Sequence, residues 1–214
     1  MSDRLRALAA SIQRPFRRMR PPQIVVLVFL ALVLTGSAIL CLPVCSKSGE
    51  PTKFLTALFT ATSATCVTGL IPVDTGTYWS TFGQVVIIVL IQLGGLGFMT
   101  FITLTSMLLG KRLGLYDRKV LMQSAGNITL DGTAALIRKI IPFTFVFEFA
   151  GAALLAIRFI PEFGVLRGIY ASVFHAISAF CNAGFDLMGM RAPFSSLTAY
   201  VSDPLVSLTI CMLI

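Results

Sequence analysis

Phe59-Thr60-Ala61-Thr62-Ser63-Ala64-Thr65-Cys66-Val67-Thr68-Gly69-Leu70 and Phe174-His175-Ala176-Ile177-Ser178-Ala179-Phe180-Cys181-Asn182-Ala183-Gly184-Phe185 are the two stretches whose reading decides the fold. They align without gaps at an offset of 115 residues, and Phe, Ala, Ser, Ala, Cys and Gly recur at six of 12 positions. Chance seldom brings two small-residue segments to that level, so the chain reads as an internal repeat. Each copy has the same surroundings: an apolar span, a short apolar helix, a turn with a glycine, and another apolar span.

The flanking spans place the repeat in a membrane. Pro22–Leu42 holds 21 residues without a charge, long enough as a helix to cross a bilayer core of about 30 Å. Thr75–Gly110 is also free of charge, with an apolar core from about Thr81 to Gly110. Between Lys139 and Arg158 lie 18 residues with one acid, Glu148, and a fourth apolar stretch runs from near Leu197 to Ile214. Thr52–Thr65 and Gly168–Phe180, at 14 and 13 residues, are too short to cross and read as re-entrant or buried helices.

Composition agrees. Of 214 residues only 12% are charged and 56% are hydrophobic, where soluble domains carry roughly 25% charged residues. The mean hydropathy is +0.88. A soluble globular domain, a disordered tail and a nucleic-acid module are thereby excluded, although the net charge is +8. The five cysteines form no CxxC pair and read as small apolar residues.

Charge placement sets the expected topology. Arg4, Arg6, Arg14, Arg17, Arg18 and Arg20 precede the first span, and Lys111, Arg112, Arg118, Lys119, Arg138 and Lys139 precede the third. Both groups belong on the cytoplasmic side, so an even number of crossings separates them and Thr52–Thr65 dips in and returns outside. The expected organisation is a basic amphipathic segment on the cytoplasmic lipid surface (1–20), a first helix–pore loop–helix repeat (21–110), a cytoplasmic linker (111–135), and a second repeat with an incomplete last helix (136–214). The sequon at Asn127 is then cytoplasmic and inert.

This unit has a specific chemistry. Non-helical backbone at membrane depth survives only where protein buries it or it lines a watery path. A short helix descending from outside aims its partially negative C-terminus inward, and the turn after it offers carbonyl oxygens that can replace a cation's hydration shell. Gly69 and Gly184 close the turns, with dihedrals that glycine permits. Asp74 and Asp186 follow the turns, where they would enrich cations at the outer mouth or serve only as solvated loop acids.

At Thr65–Leu70 and Cys181–Asp186 the sequence resembles the Trk/Ktr/HKT superfamily of bacterial, fungal and plant potassium transporters, and it is most similar to the membrane subunit of Ktr- or Trk-type uptake systems. Gln92-Leu93-Gly94-Gly95-Leu96-Gly97-Phe98 resembles the family's glycine-rich segment, and Lys111-Arg112-Leu113 with Asp117-Arg118 its cytoplasmic linker. The resemblance implies four helix–pore loop–helix repeats around a central pore. It implies that Cys66, Val67, Thr68 and Gly69, with Cys181, Asn182, Ala183 and Gly184, line a selectivity filter through backbone carbonyls. It implies a glycine of the potassium type at Gly69, K+ as the permeating ion with Na+ as the alternative, and no other metal or cofactor. It also implies a cytoplasmic nucleotide-binding regulatory subunit and a dimer. Two repeats appear here instead of four, so the chain is expected to be the N-terminal half of a longer protein, or to pair with itself. The family's gating loop belongs to the third repeat and is not carried over.

Three further features have competing readings. Glu148 lies mid-span among Phe143, Phe145, Phe147 and Phe149; bracing of the pore helix is favoured over proton or cation coupling. His175 stands where the first copy has Thr60, and reads as a packing residue rather than a metal ligand. Gly94, Gly95 and Gly97 read as a close-packing surface rather than a bending point. The sequence thus reads as an all-α integral membrane protein, expected in the plasma membrane with its N-terminus cytoplasmic, and the resemblance implies K+ conduction without enzymatic chemistry. The rivals are a non-conducting assembly subunit or truncated fragment of such a transporter and, less well supported, a multispan enzyme.

Overall fold

The computed structural model describes residues 21–97 and 130–214. The amphipathic segment expected at 1–20, the end of the second span (98–110), the charged part of the linker (111–129) and the Asn127 sequon lie outside the described residues. The chain divides into two compact units, Met1–Leu30 with Phe98–Lys139, and Ala31–Gly97 with Ile140–Ile214. In the first, the described residues open helices α1 and α5. The second unit holds both copies of the repeat.

Among the described residues the architecture is helical. α1 (Pro21–Leu40) is followed by a 3-10 turn at Pro43–Cys45, α2 (Phe54–Thr65), the single turn α3 (Thr75–Tyr78) and α4 (Thr81–Gly95). The second copy has α5 (Leu130–Phe163), α6 (Val165–Phe180), 3-10 turns at Met188–Met190 and Ser196–Tyr200, and α7 (Pro204–Leu213). Of the stretches with described side chains, Ile140–Phe163 is long and apolar enough to span a bilayer by length and composition. α1, at 20 residues, measures about 30 Å. Adjacent residues of α5 divide sharply: Phe149 is 71% exposed and Glu148 5%. That contrast marks an exposed apolar face and a buried polar line, since Thr144 is also buried one turn earlier.

Three element ends differ from the sequence reading. The second apolar helix stops at Gly95 instead of running on to Gly110. Gly97 takes φ +72° and its N–H bonds the Gly94 carbonyl at 3.1 Å, a left-handed cap that glycine forms without steric cost. The last helix starts at Pro204, not Leu197, because Asp203 caps it: Oδ1 accepts from the N–H groups of Leu205 and Val206 at 3.0 and 3.3 Å, and Pro204 takes the first position. α5 is already helical from Leu130, six residues before the expected boundary at 136.

The loops at one end of the bundle are tied together. The 3-10 turn clasps the start of α4 through Ser80 N–H to Cys45 O at 2.8 Å and Lys47 N–H to Tyr78 O at 3.0 Å. Tyr78 donates its hydroxyl to Thr52 at 3.2 Å, so the chain returns after α2 to the end where α2 began. In the second copy Glu162 does the equivalent work. It accepts from Arg191 at 2.9 Å and from the Tyr200 hydroxyl at 2.6 Å. Burial, and then the Glu162 carboxylate, push the Tyr200 phenol up to about 12. Asp203 also pairs with Arg158 at 2.6 Å. Against partial desolvation, the hydrogen bonds from Val206, Arg158 and Leu205 hold its carboxyl below the ordinary range.

The helix surfaces that meet are lined by small residues. Ala57, Ala61 and Ala64 of α2 pack with Leu90 and Ile91 of α4 in one core, and Ala171, Ala176 and Ala179 of α6 pack with Leu155 and Phe159 of α5 in another. Gly94 and Gly95 bring α4 against both copies. A Cβ at Gly94 would collide with the Thr65 carbonyl, and one at Gly95 would stand 2.6 Å from Cys181 Sγ. The close-packing reading therefore holds for Gly94 and Gly95 but not for Gly97, which has nothing among the described residues within 4 Å of its Cβ position and caps the helix instead. Gly94→Ala is expected to lower stability by about 1–3 kcal/mol through overpacking. Its check is thermal melting of the detergent-solubilised protein; an unchanged midpoint would contradict the seating of α4.

Candidate functional site

The turns after α2 and α6 have one backbone conformation. In the first, Val67 N–H bonds Ala64 O at 3.3 Å and Thr68 N–H bonds Ser63 O at 2.9 Å. In the second, Asn182 N–H bonds Ala179 O at 2.8 Å and Ala183 N–H bonds Ser178 O at 2.7 Å. Each acceptor and donor matches its counterpart at the 115-residue offset. This is the Schellman closure of a helix, with the left-handed residue at Val67 or Asn182. Their φ values are +56° and +55°, and Gly69 and Gly184 follow at +75° and +72°. Left-handed dihedrals cost an L-residue roughly 1–2 kcal/mol. Val67 is the less suited, being β-branched, and its half-buried side chain packs on the first core.

The matched serines hold the turns from within. Ser63 Oγ accepts from the Thr68 hydroxyl at 2.9 Å, and Ser178 donates to Phe185 O at 2.6 Å. The two turns also touch. A Cβ on Gly69 would lie 2.7 Å from the Ala183 carbonyl oxygen, and the place of a Gly184 Cβ is 3.4 Å from Gly69 Cα. Glycine is required at Gly69 by both its φ and this approach. Among the hydrogen bonds of the described residues, none ends on the carbonyl oxygens of Cys66, Val67, Thr68, Gly69, Cys181, Asn182, Ala183 or Gly184. These eight acceptors at two adjoining turns thus have no partner among the described residues. A cavity of about 160 Å³ flanks the second turn, lined by His175, Ser178, Asn182, Asp186, Leu197 and Ile210 among others.

The remaining expected residues fall into different places. Asp186 is partly exposed beside the second turn, and its Oδ1 accepts from Met188 N–H at 2.8 Å. Asp74 is buried, 6% exposed. It caps α3 through Thr77 N–H at 2.8 Å and accepts from Phe194 N–H of the second copy at 2.6 Å. Its burial follows from this double capping, which uses both oxygens. His175 has Nδ1 2.7 Å from Ala171 O and Nε2 accepting from Leu187 N–H at 3.2 Å. That fixes a neutral tautomer with both nitrogens engaged. Glu148 accepts from Gln92 Nε2 at 2.8 Å, and Gln92 Oε1 lies 3.7 Å from the Cys181 thiol. In the sequence Gln92 stands out only as part of the glycine-rich segment. Its signal was an amide one turn before those glycines, in a helix otherwise apolar around it.

These features define an all-helical membrane protein built on a repeated helix–turn unit with acceptor-rich turns. The model of the TrkH family, described as cation transport protein, matches residues 3–214, and the chain belongs to that family. It is 44% identical over 196 residues to Ktr system potassium uptake protein B of Bacillus subtilis, covering 92% of this chain and 42% of the relative. It is 44% identical over 177 residues to potassium/sodium uptake protein NtpJ of Enterococcus hirae, covering 83% and 39%. Ktr system potassium uptake protein B of Vibrio alginolyticus is 40% identical over 189 residues, covering 88% and 40%. The chain therefore spans about two fifths of the length of these relatives.

Because Asn182 is exposed, its substitution isolates the cost of the left-handed turn. Asn182→Val is expected to lower stability by about 1 kcal/mol, and Asn182→Gly to leave it within a few tenths. Paired melting curves check this; a tolerated valine with a destabilising glycine would contradict the turn geometry.

Proposed function

We propose that this chain forms part of a potassium uptake pore, with Cys66–Gly69 and Cys181–Gly184 as two segments of a selectivity filter that binds K+ through backbone carbonyls. The observation that carries the reading is the pair of adjoining turns with the same dihedrals and unpartnered carbonyl oxygens. In this reading α2 and α6 are pore helices that enter from the outer side and return, with their C-terminal dipole ends toward the ion. The carbonyls replace the hydration shell, and the membrane potential, about 2.3 kcal/mol per charge per 100 mV, drives entry. No covalent step is needed.

Two segments do not encircle an ion. The rest of the wall comes from further sequence of a longer chain or from a second copy. The repeats are taken as 21–110 and 136–214 around a cytoplasmic linker, with the N-terminus inside, the first 20 residues on the lipid surface, and a nucleotide-binding regulatory subunit on the cytoplasmic face. Asp186 serves the outer mouth, and Asp74 ties the two loops beneath it. Potassium is favoured over sodium by Gly69 in the first filter segment, while the name of the Enterococcus hirae relative, potassium/sodium uptake protein, keeps sodium permeation as the second reading.

The test is K+ uptake in cells lacking their own uptake systems, with membrane levels of each variant measured. Gly69→Asp and Gly184→Asp are each expected to cut uptake tenfold or more, a barrier increase of about 1.4 kcal/mol or more. Native uptake in both variants would overturn the filter assignment.

A further inference from the structure

Cys66 and Cys181 occupy the same position in the two copies, yet they are held differently. Cys66 is exposed, and none of the hydrogen bonds of the described residues reaches its thiol. Cys181 is half-buried and faces α4. Two residues of that helix fix it. Gly95 leaves the space its sulfur fills, since a Cβ there would stand 2.6 Å from Sγ and 2.7 Å from the Cys181 Cβ. One turn earlier, Gln92 Oε1 lies 3.7 Å from the sulfur, as acceptor of the thiol.

An amide has two faces, and which one meets Cys181 depends on its other partner. Here that partner is Glu148, which accepts from Gln92 Nε2 at 2.8 Å. With the NH2 group bonded to the Glu148 carboxyl oxygen, the carbonyl oxygen is the end that meets the thiol. The acid is 5% exposed, and its neighbours on α5 are exposed phenylalanines, so its orientation is set by the protein interior.

We infer that Gln92 is a positioning residue for the second filter segment, its amide locked in one orientation by Glu148 so that it anchors the Cys181 side chain and hence the Cys181–Gly184 backbone. The inference rests on the filter reading above. It gives the intramembrane acid a role in ion discrimination without contact with the ion. It also makes the two segments unequal in their side-chain bonds: among the described residues the first has Thr68–Ser63 within its own turn, while the second is also tied to α4 through Cys181–Gln92.

The experiment measures K+ uptake kinetics and K+/Na+ discrimination in the intact transporter. Gln92→Leu and Cys181→Ala are each expected to reduce discrimination about fivefold, the scale of one buried hydrogen bond. The double variant should be no worse than either, because both remove the same link. Cys181→Ser, which keeps a donor, and Glu148→Gln, which keeps an acceptor oxygen, should recover discrimination relative to Cys181→Ala and Glu148→Leu. Unchanged discrimination in Cys181→Ala, or additive losses in the double variant, would overturn the inference. Cys181→Ala removes a single sulfur, so it decides the matter if Gln92→Leu fails to reach the membrane. Gly184→Asp is measured in parallel. Native uptake in that variant means the filter reading has failed, whereas its loss alongside native discrimination in Cys181→Ala means only the anchoring has failed.

Discussion

A polypeptide that leaves a helix must find partners for its backbone groups, and that constraint organises the rest of this structure. The turns after α2 and α6 meet it asymmetrically. Their N–H groups bond back to the last carbonyls of the helix, while their own carbonyls take no partner from the described residues. Buried unpaired acceptors are costly. A turn of this kind is therefore stable in a membrane only beside water or a cation. The geometry that pairs the first N–H groups of each turn with the helix leaves its carbonyls free for the cation proposed to bind there.

The surrounding structure keeps two such turns adjacent. α4 approaches both because Gly94 and Gly95 have no side chains, one against Thr65 and the other against Cys181. At the loop end, Asp74 links the first copy to Phe194 of the second, and the Tyr170 hydroxyl reaches Gln84 at 3.0 Å. Gln84 in turn donates to the carbonyls of Thr75 and Trp79 at 3.1 Å each. Polar contacts thus join the copies at the loop end, and close glycine packing joins them at the turns. Left-handed strain at Val67 persists because packing on the core fixes that side chain.

Much of this was legible in the sequence, since the repeat at a 115-residue offset located both short helices and both glycines. The lengths of charge-free runs located the helices α1, α4, α5 and α7, though not all of their ends. Side-chain pairing was less legible. Asp74 and Asp186 look alike as loop acids, but only the fold brings Phe194 N–H to Asp74 and so buries it. Gln92 is one amide in an apolar run, and its meaning depends on α5 and α6 arriving beside it from distant sequence. The early end of α4 was written in Gly97, a residue that reads equally well as packing surface or cap. The start of α7 was signalled by Asp203-Pro204, an N-cap followed by a first-turn proline, yet hydropathy ran through it without a break. At Asn182 the residue type itself suits a left-handed cap; at Val67 it argues against one, and only the parallel with the second copy predicts the turn.

The central claim is that the carbonyls of the two turns bind a monovalent cation together. Anomalous diffraction from crystals of the intact transporter grown in Rb+ tests it most directly. The account predicts an anomalous peak within coordination distance of carbonyl oxygens from both Cys66–Gly69 and Cys181–Gly184. Ordered Rb+ found elsewhere in the protein, with both turns resolved and no peak beside either, would contradict it.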